Sequence, residues 1–235
     1  MNQILLFPDD YISGNRAMLS GRRLSHLMSI VKIKTGDTLR AGLAGGMMGR
    51  ALVLETCGDY AMLETSFDEP PPAALPLTLV MAMTRPKSFR KAIHYATAMG
   101  VKKIIILRTW RVEKSYFDSP VLDSDSLRME MVLGLEQARD TVMPEIVVKK
   151  LFRPFVEDEL PVLSEGTLKL TAHPVAESAC PRDVKQPVTL VIGPEGGLIE
   201  YEVKLLEENG FTTVNMGQRI LRVENAVAAI ISRLY

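Results

Sequence analysis

Apolar, strand-like runs alternate with amphipathic helical segments from residue 77 to the end of the chain, and few folds satisfy that alternation. The apolar runs lie at residues 77–83, 104–107, 146–148, 168–171, 188–192 and 213–216. Apolar residues at helical spacing mark the segments between or after them, at residues 89–96, 127–138, 200–209 and 223–234. Strands that are apolar at nearly every position are covered on both faces. The pattern therefore predicts an α/β domain with a mostly parallel sheet.

Three consecutive prolines, Pro70, Pro71 and Pro72, precede this region. Proline donates no backbone hydrogen bond, so the run favours a stiff, extended connector over a helix or a central strand. Before it, short strand-like segments lie at residues 37–42, 50–56 and 60–65, and one short helix is expected to start near Ser20. We therefore predict a small β-rich domain at residues 1–70, followed by the α/β domain at residues 75–235.

Composition and charge exclude several classes of protein. The chain is 47% hydrophobic, and its 28 Lys and Arg residues balance 28 Asp and Glu residues, so any nucleic-acid surface must be local. Cys57 and Cys180 lie far apart without metal-ligand spacing, which favours two buried, reduced thiols over a disulfide or a metal site. The start of the chain has no basic residue and carries Asp9 and Asp10, unlike a signal peptide, and no apolar run is long enough to cross a membrane. These observations predict a cytoplasmic protein with no membrane or metal partner.

A glycine-rich turn at residues 193–198 connects the apolar run 188–192 to the helical segment 200–209. Ligands of open α/β sheets bind at the carboxyl ends of strands, and glycine lets the backbone approach them closely. The turn matches neither a dinucleotide fingerprint nor a Walker loop, so it does not indicate nucleotide phosphate binding. From spacing alone, a ligand-binding loop and a plain tight turn carry equal weight.

A second turn, residues 217–222, connects the run 213–216 to the last helix and contains Arg219 and Arg222. A third strand ends at His173, where Pro174 stops it. Because two strand-to-turn-to-helix units lie within 40 residues of each other, their two loops are expected to converge on one pocket. A solvent-exposed or capping role for each arginine, and a structural role for His173, are the alternatives.

Basic residues are concentrated between residues 85 and 114, where a single acid, Glu113, accompanies nine cations. The nine are Arg85, Lys87, Arg90, Lys91, Lys102, Lys103, Arg108, Arg111 and Lys114. Sets of this kind bind phosphate backbones, and interleaved aromatic residues such as Trp110 can stack on unpaired bases. A solvent-exposed helix face is the alternative explanation for about four of the nine cations. The first 50 residues are also basic, so both domains are expected to contribute to one nucleic-acid surface.

The motifs together resemble those of the bacterial ribosomal RNA small subunit methyltransferase E family, of the SPOUT class. The resemblance rests on Gly-Pro-Glu-Gly-Gly-Leu at 193–198 and on Met-Gly-Gln-Arg-Ile-Leu-Arg-Val-Glu-Asn-Ala at 216–226. It is supported by Met-Thr-Arg-Pro-Lys at 83–87, Gln-Ala-Arg at 137–139 and Leu-Thr-Ala-His-Pro at 170–174. Asn225 stands where the family usually has Thr, and Gln218 where Pro is common. We expect activity to survive these changes.

This resemblance implies a PUA-like β-barrel at residues 1–70 and a SPOUT domain with a trefoil knot at residues 75–235. It also implies a homodimer that uses S-adenosyl-L-methionine to methylate N3 of one uridine in the decoding region of 16S rRNA, in the small ribosomal subunit. The implied cofactor-binding residues are Leu170, Thr171, His173, Gly193, Glu195, Gly197, Leu198, Met216, Gly217, Ile220 and Leu221. The RNA-binding candidates are Arg22, Arg23, Arg85, Lys87, Arg90, Arg111 and Arg139.

Catalytic roles follow from the chemistry of the uracil ring. The N3 proton must leave before or during attack, and Arg222 cannot accept it because guanidinium stays protonated. Arg222 is therefore expected to stabilise negative charge on the uracil carbonyls, and either Glu224 or Glu195 is the candidate proton acceptor. Two rival hypotheses remain open at this point. One is a SPOUT enzyme acting on tRNA or on a ribose 2′-hydroxyl, and the other is a non-catalytic RNA-binding or ribosome-assembly module.

Overall fold

The computed structural model describes residues 2–235, and the chain divides into two compact units. The first unit comprises the chain up to Ala73 together with Val132–Met143, and the second comprises Ala74–Met131 and Pro144–Tyr235. The sequence places residues 132–143 within the predicted second domain, at 75–235. They belong to the first unit instead, because Val132 and Leu135 bury their side chains in a cluster with Leu5.

The first unit is built on a six-stranded sheet in the order β1-β4-β5-β6-β3-β2. Its strands are β1 (Ile4–Leu6), β2 (Tyr11–Ser13), β3 (Arg16–Leu19), β4 (Thr38–Leu43), β5 (Met48–Thr56) and β6 (Ala61–Glu69). The pair β1–β4 is parallel and the other pairs are antiparallel. The three strands predicted from the sequence are found as β4, β5 and β6. Strands β1 to β3 were not predicted, because runs of three or four residues are too short to show a period.

Helix α1 (Gly21–His26) starts directly after Ser20, as predicted, and continues into a π-type turn at Leu27–Val31. The side chain of Ser20 makes no capping hydrogen bond. Leu24 and Leu27 pack into the core of the unit with alternate residues of the strands, such as Ala17 and Leu19. A 3-10 turn at Pro8–Asp10 links β1 to β2.

The second unit contains a six-stranded sheet that is parallel throughout, in the order β12-β10-β11-β7-β8-β9. Its strands are β7 (Leu77–Ala82), β8 (Lys103–Leu107), β9 (Glu145–Lys149), β10 (Leu168–Ala172), β11 (Val188–Ile192) and β12 (Thr212–Val214). All six predicted apolar runs form strands, although β12 ends at Val214 rather than at Met216. The predicted α/β fold with a parallel sheet is confirmed.

Helices lie on both faces of this sheet. They are α2 (Pro86–Ala98), α3 (Ser124–Ala138), α4 (Phe152–Pro154), α5 (Leu160–Leu163), α6 (Glu200–Glu208) and α7 (Val223–Leu234), with a π-type turn at Phe155–Glu159 and 3-10 turns at Lys114–Asp118 and Pro120–Leu122. Leu79 of β7 packs with Phe89 of α2 and Val227 of α7 on one face. The next residue, Val80, packs with Leu206 of α6 on the other face. Successive side chains of a strand point to opposite faces, so a strand covered on both sides is apolar at consecutive positions.

Both cysteines are free thiols, but only one is buried. Cys180 lies in the core, and burial raises the pKa of its thiol. Cys57 is exposed because it begins the turn between β5 and β6, so the expectation of two buried thiols was wrong for this residue. Among residues 2–235, no group of three or more His, Cys, Asp or Glu side chains is placed to hold a metal ion. No helix in that range has the length and apolar character needed to cross a membrane.

Candidate active site

Three loops of the second unit meet at the carboxyl ends of β12, β10 and β11, which are neighbours in the sheet. The strands are parallel, so their carboxyl ends share one edge, where ligands of open α/β sheets bind. The loops line a cavity of about 290 Å³. Ten of the predicted site residues line it: His173, Gly193, Glu195, Gly197, Leu198, Met216, Gly217, Ile220, Leu221 and Arg222. The predicted convergence of the turns on one pocket is therefore observed.

The loop after β11 turns sharply because Gly193 has no side chain. A Cβ atom at this position would lie 3.0 Å from Cγ of Leu198 and 3.2 Å from its backbone nitrogen, closer than most real contacts of that kind. The N–H group of Gly197 donates to the carbonyl oxygen of Pro194, at 2.8 Å, and closes the turn. Leu198, which is buried, can consequently fold back against Gly193 and form part of the cavity wall.

Asn215 holds the loop after β12 against the loop after β10. Its side-chain amide donates to the carbonyl oxygen of Ala176, at 2.6 Å, and its side-chain oxygen accepts from the N–H group of Gly217, at 2.8 Å. The backbone N–H of His173 also donates to the carbonyl oxygen of Val214, at 2.9 Å. Two segments that are distant in the sequence thereby form one side of the cavity. Sequence reasoning missed Asn215 because an Asn at a strand end usually serves only its own turn.

Three predicted site residues do not line the cavity. Leu170 and Thr171 lie within β10 and are buried in the sheet, and the hydroxyl group of Thr171 has no hydrogen-bond partner among the described residues. Glu224 lies in the first turn of α7 and is 4% exposed, and its Oε2 atom likewise has no hydrogen-bond partner. Apolar lining residues that were not singled out come instead from strand ends and α7: Ile192, Val214, Ala226 and Ile230.

Glu195 is fixed in the cavity wall by the start of α2. Its Oε1 atom accepts a hydrogen bond of 3.0 Å from the backbone N–H of Arg85, the residue that precedes the helix. A helix N-terminus carries partial positive charge and unpaired N–H groups, so it favours a carboxylate at this position. One oxygen of Glu195 is thus held in place, while its other oxygen remains available to a ligand.

Arg222 also lies in the cavity wall, at the residue that precedes α7. Its carbonyl oxygen accepts from the N–H group of Ala226, at 2.8 Å, and so joins the first turn of the helix. Within residues 2–235 the guanidinium group has no hydrogen-bond or ion-pair partner, and the residue is exposed. Its charge is consequently free to act on a ligand.

The predicted RNA-binding residues of the second unit are exposed. Arg85, Lys87 and Arg90 lie at the N-terminal end of α2, where Arg90 makes only a long ion pair with Glu130, at 3.9 Å. Arg111 follows β8, and its guanidinium group donates to the carbonyl oxygen of Gly196 in the cavity loop. These cations therefore surround the start of α2 and one flank of the loop after β11.

The predicted RNA-binding residues of the first unit have different surroundings. Arg139 is exposed and has a positive φ of 57°. Arg22 forms a 3.1 Å ion pair with the buried carboxylate of Glu136. Arg23 has both terminal nitrogens on the carboxylate of Asp10, at 2.6 Å each, and it also donates to the carbonyl oxygen of Leu5. Arg23 therefore holds β1 and the turn after it together.

Replacing Arg23 by alanine is expected to lower the free energy of unfolding of the first unit by about 2–4 kcal/mol. Its side chain is 17% exposed and that of Asp10 is 12% exposed, so the change leaves a carboxylate with little access to water. Urea denaturation followed by circular dichroism measures the effect. Arg40→Ala is the matched control, because Arg40 and Glu69 form an exposed pair worth about 0–1 kcal/mol. Asp10→Asn, which removes no cation, should destabilise the unit as well; a stable Asp10→Asn variant would contradict this role.

A parallel sheet with a cavity at the carboxyl ends of its strands is typical of an α/β enzyme, and the match of the RNA methyltransferase domain family to residues 71–235 gives the class of enzyme. The ribosomal RNA small subunit methyltransferase E of Treponema pallidum is similar to nearly the whole chain. It is 30% identical over 96% of this chain and 88% of its own length. The chain belongs to the ribosomal RNA small subunit methyltransferase E family.

Two solved structures share the fold. A methyltransferase from Legionella pneumophila, in complex with S-adenosylmethionine, has a TM-score of 0.76 and 22% identity, and the match covers 98% of this chain and 95% of that one. A ribosomal RNA small subunit methyltransferase E from Neisseria gonorrhoeae, bound to S-adenosylmethionine, has a TM-score of 0.75 and 20% identity over the same shares.

Proposed function

We propose that this protein methylates N3 of a uridine in the decoding region of 16S rRNA, with S-adenosylmethionine as methyl donor. The observation that carries the proposal is the cavity in which both motif loops meet, with the unpaired guanidinium group of Arg222 in its wall. Family membership supports RNA methylation, and the related proteins named above support the small-subunit substrate. The two solved structures that contain S-adenosylmethionine support the donor.

The lining of the cavity fits this cofactor. Its volume of about 290 Å³ is close to the lower end of small-molecule sites, about 300–1,000 Å³. Ile192, Leu198 and Ile230 would supply apolar walls for the adenine ring of the cofactor, and the loops that contain Gly193 and Gly217 would hold its polar groups. We therefore assign cofactor binding to the three loops, and not to the side chains of Leu170 and Thr171.

S-adenosylmethionine supplies a methyl group that its positively charged sulfur makes electrophilic. The protein must align the uridine with that methyl group and stabilise the charge that develops on the base. Arg222 is suited to the second task because its guanidinium group is permanently charged and unpaired among the described residues. We assign Arg222 to stabilising the uracil carbonyl oxygens during attack.

The N3 proton must leave before or during attack, and Glu195 and Glu224 are the two candidate acceptors. A general base has to reach the proton directly or through one water. Glu195 lines the cavity, whereas Glu224 is buried outside its lining. This difference supports Glu195 as the acceptor and a structural role for Glu224 in the first turn of α7.

We further propose a homodimer that acts in the cytoplasm, with a PUA-like barrel at residues 1–70 and a trefoil knot in the SPOUT domain. The support for a dimer is an uncovered apolar rim on the cavity, where Ile220 is 81% exposed and Leu221 is 38% exposed. Large exposed apolar groups at the edge of a site are typical of surfaces that a partner covers. Sedimentation equilibrium tests this, and a monomer at micromolar concentration would contradict it.

Replacing Gly217 by alanine is expected to weaken cofactor binding about tenfold. Gly217 has a φ of 105°, which side-chain-bearing residues rarely adopt, so the variant strains the loop by roughly 1–3 kcal/mol or moves it. Isothermal titration with S-adenosylmethionine measures the change. Gly45→Ala is the matched control, since Gly45 also has a positive φ and open surroundings but lies in the first unit. Equal cofactor affinities in the two variants would contradict the assignment of the loop.

Mass spectrometry of nucleosides from 16S rRNA and, separately, from tRNA, in cells with and without this gene, tests the proposed reaction. Loss of 3-methyluridine that the wild-type gene restores is the expected result. Loss of a ribose-methylated nucleoside, or of a tRNA modification, would identify a different reaction of the same fold. An unchanged set of modified nucleosides together with no measurable cofactor binding would indicate a non-catalytic RNA-binding module.

A further inference from the structure

The turn after β8 presents the only tryptophan of the chain to solvent. Trp110 and Arg111 form the tip of a turn that the N–H group of Val112 closes by donating to the carbonyl oxygen of Thr109, at 3.2 Å. Both ends of the turn, Thr109 and Val112, are buried, whereas Trp110 is 80% exposed. The indole ring therefore projects from a turn whose base is fixed in the protein.

Two further contacts fix the tip of this turn beside the cavity. The backbone N–H of Trp110 donates to Oε1 of Glu202, at 2.7 Å, and Oε2 of the same buried carboxylate accepts from the N–H of Ile199, at 3.0 Å. The guanidinium group of Arg111 donates to the carbonyl oxygen of Gly196, in the loop that lines the cavity. Glu202 thus ties the turn to the start of α6, and Arg111 ties it to the cofactor loop.

The charges near the ring in sequence favour a polyanion. Arg108, Arg111 and Lys114 flank Trp110, and the acid among them, Glu113, accepts a hydrogen bond from the hydroxyl group of Tyr116. Aromatic rings set among cations bind single-stranded nucleic acids, because every base has a face that stacks on an aromatic ring while the cations contact the phosphates. A rigidly held backbone also lowers the entropy lost when a base stacks.

We propose that Trp110 is a stacking platform for an unpaired nucleobase of the RNA substrate, at the edge of the methyl-transfer site. The proposal rests on the proposed function for the identity of the RNA, but it concerns binding rather than transfer. Arg111 and Glu202 act as positioning residues, since they hold the turn that carries the ring. Stacking on this ring would help to hold the RNA strand next to the cavity.

Because the chain has one tryptophan, fluorescence excited at wavelengths that tyrosine does not absorb reports on this ring alone. The test is a titration of the full-length protein with a short single-stranded oligouridylate and, separately, with a duplex RNA of equal length. We expect saturable quenching by the single strand and little by the duplex. Quenching that is equal for both RNAs, or absent while fluorescence anisotropy of labelled RNA shows binding, would overturn the proposal.

Variants separate stacking from general apolar contact. Trp110→Ala and Trp110→Leu should weaken oligouridylate binding about 5- to 100-fold, whereas Trp110→Phe should retain most of it. Cofactor affinity, measured by calorimetry, and the melting temperature should be unchanged in all three. Equal RNA affinity in the alanine and wild-type proteins would overturn the proposal. A red shift of the tryptophan emission when the RNA-free protein is diluted, together with a Trp110→Ala variant that is monomeric, would also overturn the proposal. These two results would show that a second copy of the chain covers the ring.

These experiments distinguish a failure of the stacking proposal from a failure of the proposed reaction. Quenching and weakened binding in the variants, with no 3-methyluridine formed by the wild-type protein, would uphold the platform and reject the proposed reaction. Formation of 3-methyluridine with no effect of Trp110→Ala on RNA affinity would uphold the reaction and reject the platform.

Discussion

Arg222→Ala is expected to lower the rate of methyl transfer to 16S rRNA roughly 100- to 1,000-fold while leaving the affinity for S-adenosylmethionine nearly unchanged. The guanidinium group lies in the cavity wall without a partner among the described residues, so its removal breaks no ion pair or hydrogen bond of the folded chain. Loss of one preorganised charge that faces the developing oxyanion has an effect of this size. Single-turnover assays with labelled cofactor measure the rate, and calorimetry measures the affinity.

Two variants serve as controls for this result. Arg219→Ala removes a second cation that lines the same cavity, and we expect a smaller loss of rate because Arg219 lies farther from the start of α7 in the sequence. Arg222→Lys keeps the charge but loses the planar pair of donors, so it should recover only part of the activity. A wild-type rate of methyl transfer in Arg222→Ala would contradict the assignment of Arg222 to charge stabilisation on the uracil. A loss of cofactor affinity as large as the loss of rate would contradict it as well.

Glu195→Gln is expected to lower the rate roughly 100- to 10,000-fold near neutral pH, since an amide cannot accept the N3 proton. Glutamine keeps a side-chain oxygen that can accept from the N–H group of Arg85, so the loop should stay in place. Without a base, transfer requires a uridine that has already lost its proton to water. The rate of the variant should therefore rise about tenfold per pH unit below the pKa of uridine N3, whereas the wild-type rate should depend less steeply on pH.

Glu224→Gln is the matched control for that profile. Its carboxylate is buried outside the lining of the cavity, so we expect a rate close to wild type and an unchanged pH profile. A steep pH dependence in Glu224→Gln together with a flat one in Glu195→Gln would exchange the two roles. Cofactor affinity should be retained in both variants, which separates a lost base from a collapsed site.

Long, strongly patterned elements were predictable from the sequence. Very short strands, and a helix that is divided between the two units, were not. The runs that became β7 and β11 are apolar at nearly every position because both of their faces are covered, and that composition is visible without a structure. The strands β1, β2 and β3 have three or four residues each, too few to show alternation. The second half of α3 carries a helical period like the first, but no pattern indicates that it belongs to the first unit and packs there with Leu5.

The cavity, too, was only partly predictable from the sequence. The glycine motif at 193–198 and the turn at 217–222 were identified from their positions after apolar strands, and both line it. The roles of Arg23 and Glu195 depend on partners distant in the sequence, Asp10 and the N–H group of Arg85. Arg23 resembles an RNA-binding cation in the sequence but is engaged in a nearly buried ion pair. Charge and residue type alone do not show whether an arginine is available to RNA or engaged in an ion pair within the protein.

The sequence by itself determined the class of fold, the order of the motifs and the family, because these depend on periodicity and on residue types at fixed spacing. Only the tertiary structure decided which residues share the cavity, which of the two carboxylates lines it and which of the predicted arginines are engaged in ion pairs. It also decided that Trp110 stands exposed on a turn that Glu202 and Arg111 hold. The physical reason is that burial and hydrogen-bond partnership arise when distant segments of the chain come together.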